Sequence, residues 1–179
     1  MDLVFKNVLV SRADSGDAAA IISVYYETSL ATYPNAKYGI TRQDIVERFE
    51  DDLSPNGILK MSMKLANPPK GELVLVAKIG DEVVACCWCI QAAVNKIAAF
   101  YVSPERQRQG IGTKLWTESL SYMDMGKQFF VEIAVYNIPA RSFYERLGFV
   151  KTERHLPEFR FKSGRIFPRI EMKRGPIPA

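Results

Sequence analysis

Two rhythms of apolar and polar residues divide the chain. In the first third they are helical. Asp14-Ser15-Gly16-Asp17 supplies cap residues, and Ala18, Ile21, Ile22, Tyr25 and Ser29 or Leu30 recur at helical spacing, predicting a helix from about Asp17 to Ala31. Tyr33-Pro34-Asn35 breaks it. Thr41, with Asp44 three residues later, forms a capping box for a second helix whose buried stripe is Ile45, Phe49 and Leu53. Ser54-Pro55-Asn56-Gly57 reads as a turn, and a short helix continues from Ile58 to Leu65 until Asn67-Pro68-Pro69-Lys70-Gly71 stops it. Before all of these, Leu3 to Val10 is apolar enough for an opening strand.

The second rhythm alternates. Glu72 to Ile79 and Glu82 to Gln91 predict a hairpin closed by Gly80-Asp81, with glycine at the first central position. A third strand from Lys96 to Val102 leads into a glycine-rich loop. The helix after it carries Ile111, Leu115, Trp116, Leu120 and Met123 on one face and ends near Gly126. Gln128 to Val135 is a strand. Asn137 then caps a helix bearing Phe143, Tyr144 and Leu147, stopped by Gly148. Phe149 to His155 and Arg165 to Lys173 are the last strands, around a turn at Ser163-Gly164. The order β-α-α-β-β-β-α-β-α-β-β has no repeat and no linker, which makes residues 1–179 one α+β or mixed-sheet domain.

Composition changes this picture little. The 179 residues are 47% hydrophobic and 25% charged, as in a soluble globular protein, and no run approaches the length of a membrane span. Asp2 spoils a signal peptide, so a cytoplasmic location is the default expectation. Residues 151–179 hold 8 basic and 3 acidic side chains, against 16 and 17 in the rest. That basic end carries no zinc-finger or aromatic RNA-binding signature, so it reads as a solvated edge rather than a nucleic-acid surface. All three cysteines lie in Cys86-Cys87-Trp88-Cys89, with Cys87 and Cys89 on one strand face and Cys86 on the other, as small core residues. The single histidine, His155, sits in a polar stretch, and no metal site is expected.

Candidate chemistry begins at Val102-Ser103-Pro104-Glu105-Arg106-Gln107-Arg108-Gln109-Gly110-Ile111-Gly112-Thr113. Two glycines one residue apart let a ligand approach the backbone, and the amides at a helix start favour negative charge. The spacing suggests a phosphate cradle, although glycine used for turn geometry alone is the plain alternative. A dinucleotide fingerprint would need a small residue where Leu115 stands. A Walker loop would need Gly-Lys-Ser/Thr where the chain reads Gly112-Thr113-Lys114.

Two stretches resemble the GNAT N-acetyltransferase superfamily. One is Tyr101 to Pro104 followed by Gln107-Arg108-Gln109-Gly110-Ile111-Gly112, similar to that family's Gln/Arg-x-x-Gly-x-Gly acetyl-CoA loop. The other is Val131 to Phe149, similar to its strand, Asn-x-x-Ala-x-x-x-Tyr helix and Leu-Gly-Phe ending. The resemblance covers about residues 96 to 150. It implies a twisted mixed sheet of six to seven strands with helices on both faces, acetyl-CoA as donor and a primary amine as acceptor. It implies that the backbone of Arg108, Gln109, Gly110, Ile111, Gly112 and Thr113 holds the pyrophosphate. The pantetheine arm would run along Phe100, Tyr101 and Val102, where two parallel strands part, and Asn137 would reach it or an ordered water.

By the same resemblance Tyr144 is the general acid that protonates the leaving thiolate, a task that an ordinary tyrosine pKa of about 10 suits. Packing on the sheet is the alternative role. Glu132 resembles the glutamate base, acting through water, of bacterial enzymes that acetylate protein N-termini; a salt-bridged structural carboxylate is the alternative. Histone-type members carry a glutamate where this chain has Lys96, which removes one candidate base. The acceptor stays open among a protein N-terminus, a lysine, a polyamine and a small-molecule amine. Asp44, Glu47, Asp51 and Asp52 read as a solvated helix face. Competing functions are a non-catalytic acyl-CoA sensor of the same fold and a nucleic-acid-associated domain. A monomer or homodimer is expected, with no membrane partner.

Overall fold

The computed structural model describes residues 7–177. Strands β1 (Val8–Arg12), β2 (Glu72–Ile79), β3 (Glu82–Gln91) and β4 (Asn95–Val102) form an antiparallel meander. β5 (Phe129–Ala134) adds parallel to β4, and β9 (Arg169–Arg174) and then the short β6 (Val150–Lys151) complete a seven-stranded sheet in the order 1-2-3-4-5-9-6. β7 (Phe159–Arg160) and β8 (Ile166–Phe167) make a separate hairpin. Five helices accompany the strands: α1 (Ala18–Thr32), α2 (Arg42–Leu53), α3 (Pro55–Ala66), α4 (Ile111–Leu120) and α5 (Ile138–Arg146).

Both faces of the sheet are covered, which is why its central strands read as nearly unbroken apolar runs. In β2, Leu75 and Ala77 face α4 and α5, while Val74 and Val76 face α1 and α3. The cysteines divide as the strand period requires: Cys87 and Cys89 share one core with their Sγ atoms 3.4 Å apart, and Cys86 lies in the other. All three are free thiols.

Local signals held where they were strongest. The Thr41–Asp44 capping box is formed, and the β2–β3 hairpin turns at Gly80-Asp81 as expected. Elsewhere the structure corrects the reading. The part of the expected first strand before residue 7 lies outside the described residues, and β1 runs on to Arg12. Ser54-Pro55-Asn56-Gly57 opens α3 rather than forming a turn: Ser54 Oγ accepts the Gly57 amide at 3.1 Å and Pro55 takes the first helical position. Leu53 is exposed at the end of α2. α4 stops at Leu120, although Met123 is still buried beyond it.

The expected last strands are shorter and divided. β6 ends at Lys151, with Thr152 still bonding the β9 main chain at Glu171. Pro168, which has no amide to donate, separates β8 from β9, and each half pairs with a different partner. The basic end is a solvated edge, as expected, with most of its lysines and arginines exposed, and several of these cations are paired. Arg165 pairs with Asp44 at 3.1 Å, Lys162 with Glu50 at 3.1 Å and Arg154 with Glu171 at 2.9 Å. The α2 acids and the β7–β8 turn thus hold each other.

Asp44 departs furthest from its expected place on a solvated face. It is 2% exposed, and its carboxylate accepts from the Thr41 amide and hydroxyl, from the Ser163 hydroxyl and from Arg165. Burial alone would raise its pKa. The hydrogen bonds from Ser163, Thr41 and Arg165 outweigh that and hold it down at about 2.

Candidate functional site

The site begins with a flaw in the sheet. Trp88 pairs with Ala99 and Cys89 with Ile97, so Ala98 has no partner on β3 and β4 carries a bulge there. A bulge bends its strand and sharpens the twist. β4 and β5 stay paired only through Asn95–Phe129, Lys96–Phe130 and Ile97–Val131. Beyond Ile97 they part, and a cleft of about 620 Å³ opens above the gap. That volume lies within the range, roughly 300–1,000 Å³, of small-molecule sites.

One end of the cleft is the glycine loop. A 3₁₀ turn (Pro104–Arg106) leaves β4, and Gln107 Nε2 reaches back to the Val102 carbonyl at 3.0 Å. Arg108 (φ +62°) and Gly110 (φ +81°) both take the left-handed conformation, costly for arginine and free for glycine. Left-handed residues in such a turn aim neighbouring amides into one concavity, a ready anion nest. Among the described residues, the amides of Arg108 through Thr113 donate to no protein acceptor. They merge with the free amide end of α4.

The other end is built by α5. Asn137 caps it, its Oδ1 accepting the Ala140 amide at 3.1 Å, which leaves its NH₂ and one Oδ1 lone pair for a ligand. Phe100, Tyr101, Val102, Arg108, Gly110, Gly112, Thr113 and Asn137 all line the cleft. The side chains of Gln109 and Ile111 do not: Gln109 bonds the Glu105 carbonyl and Ile111 is in the core, so only their backbone faces the nest. A Cβ on Gly112 would lie 3.6–3.7 Å from Phe143, Val102 and Phe100, which is ordinary contact. Glycine there leaves room at the cleft wall without being forced by the packing.

Tyr144 stands where this cleft meets a second one of about 260 Å³ on the far side of the gap, and it lines both. Its ring packs edge-on against Phe143 and Phe149, at centroid distances of 5.3 and 5.2 Å. Among the described residues its hydroxyl makes no hydrogen bond, although the residue is only 3% exposed. Burial, aided by Cys87, Tyr101 and Cys89, pushes its pKa well above the ordinary value of 10. The proton therefore stays on the hydroxyl at neutral pH.

Glu132 lines the second cleft from β5. Its Oε1 accepts from Lys96 Nζ at 3.0 Å and its Oε2 from Arg169 NH1 at 2.5 Å. Lys96 thus supports Glu132 from the neighbouring strand. Each carboxylate oxygen keeps a second lone pair for a water molecule. Tyr33 also lines both clefts; its carbonyl accepts the Tyr136 hydroxyl at 2.7 Å and its own hydroxyl meets that of Tyr101 at 3.4 Å. Sequence reasoning missed Tyr33, Arg169 and the aromatic residues of the β7–β8 hairpin. The two-residue spacing of Phe159 and Phe161 was the available sign of a strand with one apolar face.

Residues 70–151, just under half of the chain, match the family model described as the acetyltransferase (GNAT) domain. No curated protein sequence matches the chain. Solved structures share its fold. The PaiA N-acetyltransferase of Thermoplasma acidophilum, in complex with coenzyme A, superposes with a TM-score of 0.73 at 18% identity, over 94% of this chain and 98% of that one. The ribosomal-protein-S18-alanine N-acetyltransferase of Escherichia coli gives 0.61 at 18% identity, over 96% of each. YncA of Salmonella typhimurium, solved with its cofactor acetyl-CoA, gives 0.62 at 20% identity, over 97% and 96%. The mixed α+β fold with a seven-stranded sheet is that of these proteins. Among the described residues, no helix is long and apolar enough to cross a membrane.

Proposed function

We propose that this chain, whose residues 70–151 match the acetyltransferase (GNAT) domain model, transfers the acetyl group of acetyl-CoA to the nitrogen of a primary amine by direct attack. The observation that carries this reading is the placing of Tyr144 at the junction of two clefts, one of which ends in the open amides of Arg108 to Thr113. That nest suits a diphosphate. The parted end of β4 offers unpaired main chain to an amide-bearing arm, and the thioester then lies at the gap.

The acceptor enters from the second cleft as a neutral amine. Its lone pair forms the new C–N bond while the C–S bond breaks and the electron pair leaves on sulfur. The Tyr144 hydroxyl, bound to nothing else, donates to that sulfur. Its raised pKa makes it a hydrogen-bond donor to the growing charge first and a proton source second. The proton shed by the amine leaves through a water held by Glu132, which its two cation partners, Lys96 and Arg169, fix in place.

Thiol release on mixing the protein with acetyl-CoA and an amine panel, with mass spectrometry of the amine products, tests this. Acceptor-dependent thiol release with an acetylated product is expected. Tight coenzyme A binding without acetylation of any amine would instead make the chain an acyl-CoA sensor.

A further inference from the structure

The second cleft carries information about the acceptor that the sequence did not. Resting on the proposed acetyl transfer, we infer that the acceptor is a small monoamine on an aromatic or apolar body, and that the cleft rejects a second ammonium group. Three observations on the cleft agree.

Its volume, about 260 Å³, lies just under the usual range of small-molecule sites, which suits one compact body rather than an extended chain. Its wall is aromatic: Phe49 from α2, and Phe159, Phe161 and Phe167 from the hairpin, with ring centroids of the last three 5.6–6.0 Å apart in edge-on pairs. The rings pack as one cluster with Ile40 and Ile45, and the hairpin that carries three of them is tied to α2 through the buried Asp44 carboxylate, which Ser163 and Arg165 both bond.

Its charge is the third. The ionised side chains lining the cleft are Arg48, Arg169 and Glu132, and Glu132 is already paired twice, to Arg169 and Lys96. Among the described residues no other carboxylate lines it to receive a second cation. Arg48, at the α2 edge, has only the half-exposed Asp52 as partner, a pair that solvent screens. A dication or polyamine would meet two guanidinium groups with nothing to balance it. A neutral or carboxylate-bearing aromatic body would meet rings and a positive rim.

The test compares 2-phenylethylamine and L-phenylalanine with putrescine and spermidine as acceptors for the whole protein, reading kcat/KM by thiol release. The aromatic monoamines are expected to exceed the polyamines by at least 100-fold. Arg48→Glu reverses the charge at an exposed position and should raise kcat/KM for spermidine on the order of 10-fold while lowering that for L-phenylalanine. Polyamines used as well as or better than the aromatic amines overturn the inference and leave acetyl transfer standing. Failure of all four amines, with a lysine peptide or another amine acetylated instead, overturns it equally. Thiol release with no amine at all overturns the proposed function itself.

Discussion

Replacing Tyr144 by phenylalanine removes one oxygen and nothing else. The ring contacts with Phe143, Phe149 and Phe100, at 5.2 to 6.4 Å, are kept. The hydroxyl bonds no protein group among the described residues, so its loss strands no partner, and stability should change by less than about 1 kcal/mol. General acid catalysis contributes roughly 100- to 10,000-fold in well-matched cases. Here the pKa of Tyr144 is held well above 10 by burial, which weakens it as an acid towards a thiolate and moves the expectation down. A fall in the chemical rate of about 10- to 1,000-fold follows, or roughly 1.4–4 kcal/mol in the barrier. Single-turnover thiol release measures that step apart from product release, and calorimetry of coenzyme A binding should give an affinity within about twofold of the parent. An unchanged single-turnover rate would remove the hydroxyl from the chemistry and leave Tyr144 as a packing residue.

Three further outcomes are expected. Gly110→Ala, at φ +81°, should cost about 1–2 kcal/mol of stability and weaken acetyl-CoA binding more than 10-fold by calorimetry; Gly164→Ala, at φ +83° in the hairpin turn, carries the same backbone strain and should leave that affinity intact. Asp44→Ala should destabilise by about 2–4 kcal/mol in urea unfolding, because Arg165, Ser163 and the Thr41 amide lose a buried acceptor. The pKa of Asp44 is lower folded, about 2, than its ordinary 3.8, so its stabilisation is present above pH 4 and is lost as pH falls towards 2; urea midpoints of the parent should drop through that window and those of the variant should drop less. At the alkaline end Tyr25, Tyr33, Tyr101 and Tyr144 all have pKa values raised above 10, chiefly by burial. A raised folded pKa gives stability that is full below the unfolded value, so thermal midpoints should hold up to about pH 10 and fall above it.

What could be read from the chain depended on how far apart the determinants lie. The capping box at Thr41, the Gly80-Asp81 hairpin and the Asn137 cap are set by residues within four positions of each other, and all three formed. The opening of α3 at Ser54-Pro55 was equally local, but the same residues serve a turn and a helix start, and only the packing of α3 on α1 decides between them. Pro168 lay inside the single strand expected from Arg165 to Lys173, and the break there was missed, because β8 and β9 choose different partners only once the hairpin has docked.

The same rule divides the site. The larger cleft is bordered by a continuous piece of chain, from the bulge at Ala98 to the first turn of α4 at Thr113, completed by Asn137 and Tyr144 one strand further on. Glycine spacing and a cap are enough to suggest it. The second cleft is assembled from α1, α2 and a hairpin near the other end, joined by Asp44 to Arg165 across 121 residues and by Glu132 to Arg169 across 37. No local pattern encodes those meetings, and so Asp44 passed for a solvated acid. The charge balance that argues against polyamines exists only after folding, when Glu132 has been taken by its two cations. The lining of the second cleft is therefore a property of the assembled contacts and can change without any alteration to the glycine loop.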